Sequence, residues 1–317
     1  MKKQLLVILA LLATLTMSAA TILTEDFDYA HGEVLTDHGW FTQWGQASTI
    51  GVTNGLIFED YAGCGVGNAA VLDIAESNQL HKSFTPVTEG DVYVAFMFQP
   101  VMTYKEGYFF TLRDNKINAQ TYNFNARVFI NTENQLGLTF AQNGNKVYGD
   151  KVLDASTTYL VVLKYTINEG LNNDEVSLYL LDTFSATEPT EPLIGPLTDA
   201  TKTDINPAHV VLRGYSSDVV WLVVDGIRVG TTWQDAVVAG VCANSIADYA
   251  MNDNNIYVEH NNVHFEISED NTTMQLFDMV GRSIQHENLS AGAHTISLQK
   301  GCYILRLGDK TAKIVID

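Results

Sequence analysis

The chain has 317 residues, which is long for one small domain and suits two. Apolar residues make up 46% of the sequence and charged residues 17%, so the chain can bury a core and no long disordered stretch is expected. The formal net charge is −19, and a protein this acidic repels phosphate backbones. Nucleic acid is therefore not expected as a partner, whereas divalent cations and neutral glycans are compatible with the charge. The acidity also suits solubility alone.

The first 20 residues have the pattern of a secretory signal peptide. Lys2 and Lys3 form a basic start, Leu5 to Leu15 is an apolar run, and Ser18 to Ala20 supplies small residues for signal peptidase. The run is short for a permanent membrane span, and no later stretch is long and apolar enough to be one. The sequence therefore predicts cleavage near Ala20, a secreted protein, and no transmembrane segment in the mature chain.

Three cysteines, Cys64, Cys242 and Cys302, are far apart in the sequence. They form no Cys-x-x-Cys pair, which argues against zinc and thioredoxin-type sites. One disulfide can form in an oxidising compartment, and the odd count leaves at least one thiol. Of these two alternatives, a disulfide or free thiols, we expect free, buried thiols.

Apolar and polar residues alternate along most of the chain after the signal peptide. Runs rich in Val, Tyr, Phe, Leu and Ile are bounded by Gly, Asn, Asp and Pro, as β-strands are. No segment has a helical period, and residues 185–207 are predicted to form a long surface loop. Before residue 240 the predicted strands include 91–98, 107–112, 126–130, 136–140, 158–166, 176–181, 209–213 and 219–229.

This pattern predicts an all-β fold in two parts. Many short strands with polar turns favour a β-sandwich or jelly roll over residues 21–240. Residues 241–254 are polar and predict a linker, and residues 255–317 predict a small antiparallel sandwich. The strands predicted in this second part are 255–259, 262–267, 272–277, 282–286, 293–298, 302–307 and 312–316.

Four motifs follow one another in the last segment of the chain: Leu276-Phe-Asp-Met-Val-Gly-Arg282, Leu289-Ser-Ala-Gly292, Lys300-Gly-Cys-Tyr-Ile-Leu-Arg-Leu307 and Lys310-Thr-Ala-Lys-Ile-Val-Ile316. In these motifs residues 255–317 resemble the type A C-terminal sorting domain of the Bacteroidota type IX secretion system. Cys302 stands where an aliphatic residue is usual, and an ordinary immunoglobulin-like accessory domain is the alternative.

The resemblance implies an immunoglobulin-like β-sandwich and the type IX secretion machinery as a partner. It implies passage through the periplasm, translocation across the outer membrane, and often removal of the tag with attachment to surface lipopolysaccharide. The sorting-signal residues that it implies are Gly281, Gly292, Gly301, Tyr303, Lys310 and Lys313.

Five segments of the larger unit carry a second resemblance: Glu25-Asp-Phe-Asp-Tyr29, Gly39-Trp40, Asp91-Val-Tyr-Val-Ala95, Tyr159 to Tyr165, and Val224-Asp-Gly-Ile-Arg-Val-Gly-Thr-Thr-Trp233. They resemble the laminin-G and concanavalin-like jelly rolls of secreted Bacteroidota proteins. The resemblance implies a fold and leaves the function open, since that class holds glycan binders, adhesins, glycan hydrolases and lyases.

Two carboxylates near the ends of the larger unit are candidate metal ligands. In a β-strand every second side chain lies on the same face, so Glu25 shares a face with Phe27, and Asp225 shares one with Ile227. If Phe27 and Ile227 point into the core, both carboxylates point inward as well. A buried carboxylate must be paired, protonated or metal-bound, and hard oxygen ligands suit calcium. The sequence thus predicts a structural Ca²⁺ or a hydrogen-bonded carboxylate cluster at Glu25 and Asp225. The alternative is that both accept backbone N–H groups or face solvent after a bulge.

Aromatic residues in loop-like segments are candidate glycan platforms, because sugar rings stack on aromatic faces. The alternative for each is core packing, which is expected for Trp221 and Trp233. The candidate ligand-binding residues are Trp40, Trp44, Tyr61 and Tyr104.

No catalytic residue can be assigned. Val71-Leu-Asp-Ile-Ala-Glu76 supplies Asp73 and Glu76 of the Glu-x-Asp-x-x-Glu pattern of laminarinase-like enzymes but has valine in place of its first carboxylate. Retaining glycosidases require two carboxylates. Nucleophile-elbow, phosphate-loop and histidine metal motifs are also missing from the sequence. We therefore expect a secreted or surface-attached, non-catalytic module that binds glycan or a matrix partner. The alternatives are a hydrolase or lyase with an unrecognised site, and a structural surface protein.

Overall fold

The computed structural model describes residues 21–30, 32–42, 50–72, 77–103, 105–115, 123–215, 220–242, 256–259, 261–278, 281–308 and 310–316. The chain divides after Gly240 into two compact units. Antiparallel strands dominate both, which confirms the predicted all-β class. Within these ranges no helix has the length and apolar character to cross a membrane.

The first unit is a sandwich of two antiparallel sheets. One sheet has the order β13-β12-β11-β6-β15-β4-β3, with β1 also paired to β15, and the other has the order β10-β9-β8-β7-β14-β5-β2. We call them the eight-stranded and the seven-stranded sheet. The strands are β1 (Leu23–Glu25), β2 (Phe41–Thr42), β3 (Val52–Asn54), β4 (Asn68–Leu72), β5 (Ser77–Ser83), β6 (Gly90–Thr103), β7 (Gly107–Asp114), β8 (Phe124–Ile130), β9 (Gln135–Ala141), β10 (Val147–Val152), β11 (Tyr159–Ile167), β12 (Glu175–Leu181), β13 (Ile194–Leu197), β14 (Pro207–Tyr215) and β15 (Val220–Gly230).

The main core fills the space between the two sheets. Phe96 of β6 stacks on Phe110 of β7 with ring centroids 4.4 Å apart, and Phe98 stacks on Phe109 at 4.9 Å. All four rings are fully buried, and burial of such a side chain contributes about 1.5–3 kcal/mol. These pairs join the central strand of one sheet to the other.

A second apolar cluster covers the outer face of the eight-stranded sheet. Tyr93 and Met97 of β6 meet Tyr61 from a loop and Trp233 from a short helix. That helix, α1 (Trp233–Ala236), begins with a capping box in which Thr232 and Asp235 satisfy each other's backbone N–H groups. A 3-10 helix at Leu35–His38 is the other described helical turn. Trp233 is thus a core residue, as predicted.

Two predictions for this unit are corrected. The segment 185–207 contains strand β13, which pairs with β12, and so it is not loop throughout. Trp221 is 46% exposed instead of buried, because β15 places it opposite Met102 near the end of β6, where Met102 is exposed as well.

Two of the three cysteines form a disulfide. Cys64 and Cys242 are disulfide-bonded, and Cys302 is a free thiol. Next to this bond, Ala62 donates its N–H to the carbonyl of Val238 at 2.9 Å. The expectation of free thiols is therefore wrong for Cys64 and Cys242. The two residues are 178 positions apart, and a rule based on short Cys spacings cannot detect such a pair.

The second unit is a small sandwich of its own. A three-stranded sheet has the order β16-β17-β20 and a four-stranded sheet has the order β19-β18-β21-β22. Between them lie apolar side chains such as Phe265, Leu276 and Leu305. The strands are β16 (Tyr257–Glu259), β17 (Asn262–Ile267), β18 (Thr272–Asp278), β19 (Ser283–Leu289), β20 (Gly292–Ser297), β21 (Gly301–Leu307) and β22 (Lys310–Ile316).

Candidate functional site

The outer face of the seven-stranded sheet carries the most unusual group of side chains in the first unit. Alternation along each strand directs Leu80, Val128 and Leu212 into the core and their neighbours to the opposite face. We call this opposite face the arginine face, because three of the six arginines of the chain lie on it. Its polar residues are Gln79 and His81 of β5, Tyr108, Thr111 and Arg113 of β7, Arg127 of β8, Thr139 of β9, and His209 and Arg213 of β14.

Tyr108 lies between two guanidinium groups at one end of this face. The Arg213 guanidinium carbon is 4.1 Å from the centroid of the Tyr108 ring, and that of Arg127 is 4.6 Å from it. Arg213 also donates a hydrogen bond from Nη1 to the Tyr108 carbonyl at 3.2 Å, and Gln79 donates to the Tyr108 hydroxyl. Cation–π contact and these hydrogen bonds fix the ring and both cations on rigid strands.

The third arginine continues the row of cations. Arg113 and Arg127 both lie 5.9 Å from the centroid of the Phe124 ring. Beyond Arg113, His209 stands opposite it in the β7–β14 register, and the ring of His81 meets that of His209 at 5.2 Å. The face is therefore a continuous series of contacts from Arg213 to His81.

Both imidazoles are held in the neutral state. Burial, followed by the charge of Arg113, lowers the pKa of His81 to about 4, and the same two causes lower the pKa of His209. The Nδ1 atom of each ring is buried without a hydrogen-bond partner.

Phe41 is an exposed ring at the margin of the face. It is 59% exposed, and its centroid lies 5.9 Å from that of His81, which it opposes in the β2–β5 register. An exposed aromatic face beside hydrogen-bonding groups is the arrangement that a sugar ring can use. Arginine forks can in addition bind planar or paired oxygens in two parallel hydrogen bonds.

Glu25 is buried, as the sequence predicted, but its partners are protein groups. Its carboxylate accepts hydrogen bonds from the Phe27 N–H at 2.9 Å, the Tyr29 hydroxyl at 2.8 Å and Trp40 Nε1 at 3.1 Å. Lys82 of the opposite sheet forms an ion pair with it. A calcium ion at Glu25 would have to displace this ammonium group, which already balances the charge of the carboxylate.

Asp225 lies on the other side of the eight-stranded sheet. Its Oδ2 accepts the Leu56 N–H at 2.8 Å and its Oδ1 accepts the Gly226 N–H at 2.6 Å. Burial raises the pKa of Asp225 to about 8. A bulge at Gly226 turns Asp225 to the outer cluster, so Asp225 and Glu25 face opposite sides of the sheet, and each accepts hydrogen bonds from protein groups. The structural Ca²⁺ expected from the sequence stays a prediction. Among the described residues, no three His, Cys, Asp or Glu side chains are grouped to hold a metal ion.

The predicted aromatic platforms are corrected in the same way. Trp40 is 1% exposed and stacks on Phe27 at 5.9 Å, and Tyr61 is fully buried and donates its hydroxyl to the Gly226 carbonyl at 2.7 Å. Neither ring has a free face, so both are core residues. Trp44 and Tyr104, and the fragment residues Asp73 and Glu76, lie outside the described residues.

The implied sorting residues lie on the turns and last strands of the second unit. Gly281 and Gly292 have φ angles of +77° and +129°, in the region that favours glycine. Gly301 begins β21, and Tyr303 on the same strand donates its hydroxyl to the Gln299 carbonyl at 2.9 Å. Lys310 and Lys313 lie on β22.

The arginine face itself was missed from the sequence. Each of its strands shows only ordinary alternation of polar and apolar residues. The residues of the face come from strands that are distant in the sequence; Gln79 and Arg213, for example, are 134 positions apart. A usable signal was that Arg127, His209 and Arg213 alternate with strongly apolar residues, which places the polar groups together opposite a core.

No protein-family model matches the chain, and no curated protein matches it in sequence. Among solved structures, the T. cruzi calreticulin globular domain is 14% identical, with a TM-score of 0.41, over 68% of this chain and 90% of that one. The cellulose induced protein Cip1 is 17% identical, with a TM-score of 0.40, over 66% and 97%. A glycosyl hydrolase family protein from Mycobacterium fortuitum is 12% identical, with a TM-score of 0.40, over 66% and 99%. Likeness at this level carries no argument about function.

Proposed function

We propose that the first unit binds a glycan on the arginine face and that the second unit is a tag for export through the type IX secretion machinery. The observation that carries the first part is the row of polar and aromatic groups from Arg213 to His81, which ends at the exposed ring of Phe41. Strands hold these groups, and sites built on strands are more exact in geometry than sites on loops.

Recognition of a glycan by this face follows from its chemistry. Guanidinium and amide groups donate hydrogen bonds to sugar oxygens, and the neutral rings of His81 and His209 continue the same row of side chains. The ring of Phe41 offers the apolar surface for the C–H face of a sugar. A protein that binds in this way without cleaving its ligand is a surface module rather than an enzyme.

Three observations support export. The signal-peptide pattern begins the chain, and the four sorting motifs fall on β18 to β22 of a separate small sandwich. The bond between Cys64 and Cys242 is the third, since disulfides persist in oxidising compartments outside the cytosol. Secretion or surface attachment by way of the periplasm is therefore part of the proposal.

A glycan array tests the binding function. Wild-type protein is expected to bind a subset of the glycans on the array. The Arg213→Gln variant is expected not to bind them, because Arg213 contacts Tyr108 and supplies one of the cations at that end of the face. Lys151→Gln, which removes a charge from an exposed ion pair with Asp182, is the matched control and is expected to bind normally. Release of new reducing ends or of unsaturated uronates from a bound glycan would show an enzyme instead, and an array without any bound glycan would overturn the proposal.

Deletion of residues 255–317 tests the export function separately. The truncated protein is expected to stay in the periplasm of the producing cell, because the sorting unit is gone while the signal peptide remains. The comparison is with full-length protein detected by surface proteolysis in intact cells. Surface display of the truncated chain at the full-length level would refute the tag.

A further inference from the structure

We propose that the ligand of the arginine face is an acidic glycan, and that its carboxylate or sulfate group pairs with Arg127. This inference rests on the proposed glycan-binding function and names the class of glycan. It begins from a cation that the described protein leaves without an anion.

Arg127 is buried and incompletely satisfied. Only 7% of the residue is exposed, and its Nε atom is buried without a hydrogen-bond partner. Its Nη2 atom donates a hydrogen bond to the amide oxygen of Gln142 at 3.3 Å, and the guanidinium lies over the Tyr108 ring. Within the described residues, no carboxylate lies at ion-pair distance from Arg127.

A buried charge without an opposite charge is unfavourable, since desolvation of an ion is not recovered by neutral partners alone. The Arg213 guanidinium across the Tyr108 ring adds repulsion, and burial together with this repulsion lowers the pKa of Arg127. A single anion that enters this end of the face would pair with the Arg127 guanidinium and offset the repulsion. Carboxylate and sulfate oxygens match the guanidinium fork in geometry.

The charge of the whole chain makes this assignment specific. With a net charge of −19, most of the surface repels a polyanion. A glycan that carries acidic groups is therefore held only at a cation that can accept its charge, and Arg127, which has no carboxylate at ion-pair distance among the described residues, is such a place. A neutral glycan would leave Arg127 as it is and would receive no benefit from the positive potential.

The test uses purified full-length mature protein and three soluble polysaccharides: a polyuronate, a sulfated galactan and a neutral galactan of similar length. Wild type is expected to bind one or both acidic polymers, more weakly as salt increases, and the neutral one at least about tenfold less tightly. Binding of the polyuronate alone identifies a carboxylate ligand, and binding of the sulfated polymer alone identifies a sulfate ligand. Equal binding of the neutral polymer overturns the anion inference and leaves the glycan-binding function standing, whereas absence of binding to all three and to a glycan array overturns both.

The variants assign the role to Arg127. Arg127→Gln is expected to weaken acidic binding at least about tenfold, and Arg127→Lys, which keeps the charge but loses the fork, to weaken it less. Lys151→Gln is the control for the loss of one positive charge. The melting temperature of each variant verifies folding, and the lysine variant tests the site if the glutamine variant does not fold. Unchanged acidic binding by folded Arg127→Gln would overturn the assignment.

Discussion

Asp225 and Ile227 point to opposite faces of the eight-stranded sheet, although they are two positions apart on one strand. Asp225 contacts Leu56 of the outer cluster, whereas Ile227 lies in the core between the sheets. The cause is Gly226, which has a φ of +57° where the β15–β6 register shifts between Asp225 and Arg228. The extra residue of such a bulge reverses the alternation. The bulge separates Asp225 from Glu25 and sets the direction of every later side chain on β15.

This bulge predicts an unusual sensitivity at Gly226. A Cβ there would lie 2.8 Å from Met97 Cε and 3.3 Å from the Gly63 Cα, in addition to the strain of a positive φ. Gly226→Ala is therefore expected to lower the free energy of unfolding by about 2–3 kcal/mol, measured by urea denaturation with tryptophan fluorescence. Gly90→Ala is the matched control, because Gly90 has a φ of +76° and open space around it, and about 1 kcal/mol is expected. Equal losses in the two variants would contradict the crowding at Gly226.

The buried Glu25–Lys82 ion pair is expected to be costly to break. Glu25 is 3% exposed and its carboxylate serves three further donors, so Glu25→Gln would leave a partly buried ammonium and competing N–H and O–H groups. A loss of about 2–4 kcal/mol in unfolding free energy is expected. Glu106→Gln breaks the pair with Lys146, whose members are 38% and 40% exposed, and should cost under about 1 kcal/mol. A similar small loss for Glu25→Gln would show that the buried pair contributes little.

The predicted segments correspond to all seven described strands of the second unit but to only eight of the fifteen described strands of the first, and the sequence did not predict the contacts between distant segments. In the second unit, predicted strands such as 262–267 and 302–307 match β17 and β21 to within one residue, because alternation and turn glycines are local signals. Period two also placed Glu25 correctly. It failed at Asp225, because nothing local distinguishes the positive φ of Gly226 from ordinary strand geometry.

The candidate site shows the same limit. Arg213 joins Arg127 at the ring of Tyr108 only because β14 lies beside β7, and that pairing joins segments about a hundred residues apart. The predicted platforms Trp40 and Tyr61 failed because aromatic rings in loop-like segments of a sandwich also fill cores, and the pattern does not separate the two.

The disulfide gives a prediction that is independent of any ligand. Unfolded, unreduced mature protein is expected to expose the single thiol of Cys302 to a thiol reagent, and reduction is expected to release Cys64 and Cys242 as well. Cys64→Ser should lower the unfolding free energy by about 2–4 kcal/mol, because the open chain gains entropy when unfolded. Cys302→Ser should change it by less than about 0.5 kcal/mol. Three reactive thiols before reduction would refute the bond.

The neutral histidines of the arginine face predict a dependence of stability on acid. The pKa of His81 is lowered to about 4, below its unfolded value of about 6.5, so the unfolded chain binds more protons between these values. The contribution of His81 to unfolding free energy is therefore complete above about pH 6.5 and is lost as the pH falls toward 4. His209, whose pKa is lowered in the same direction beside Arg113, adds to the effect.

The measurement must separate these histidines from Asp225. The pKa of that carboxyl is raised to about 8, so its contribution has the opposite sign and declines as the pH rises from about 4 to 8. Urea denaturation of wild type and of His81→Gln with His209→Gln at a series of pH values gives the difference, in which Asp225 cancels. The advantage of wild type over the double variant is expected to shrink steadily below about pH 6.5 and to be constant above about pH 7. A difference that grows in acid would mean that the two rings are charged in the folded protein, and that the arginine face carries five cations instead of three.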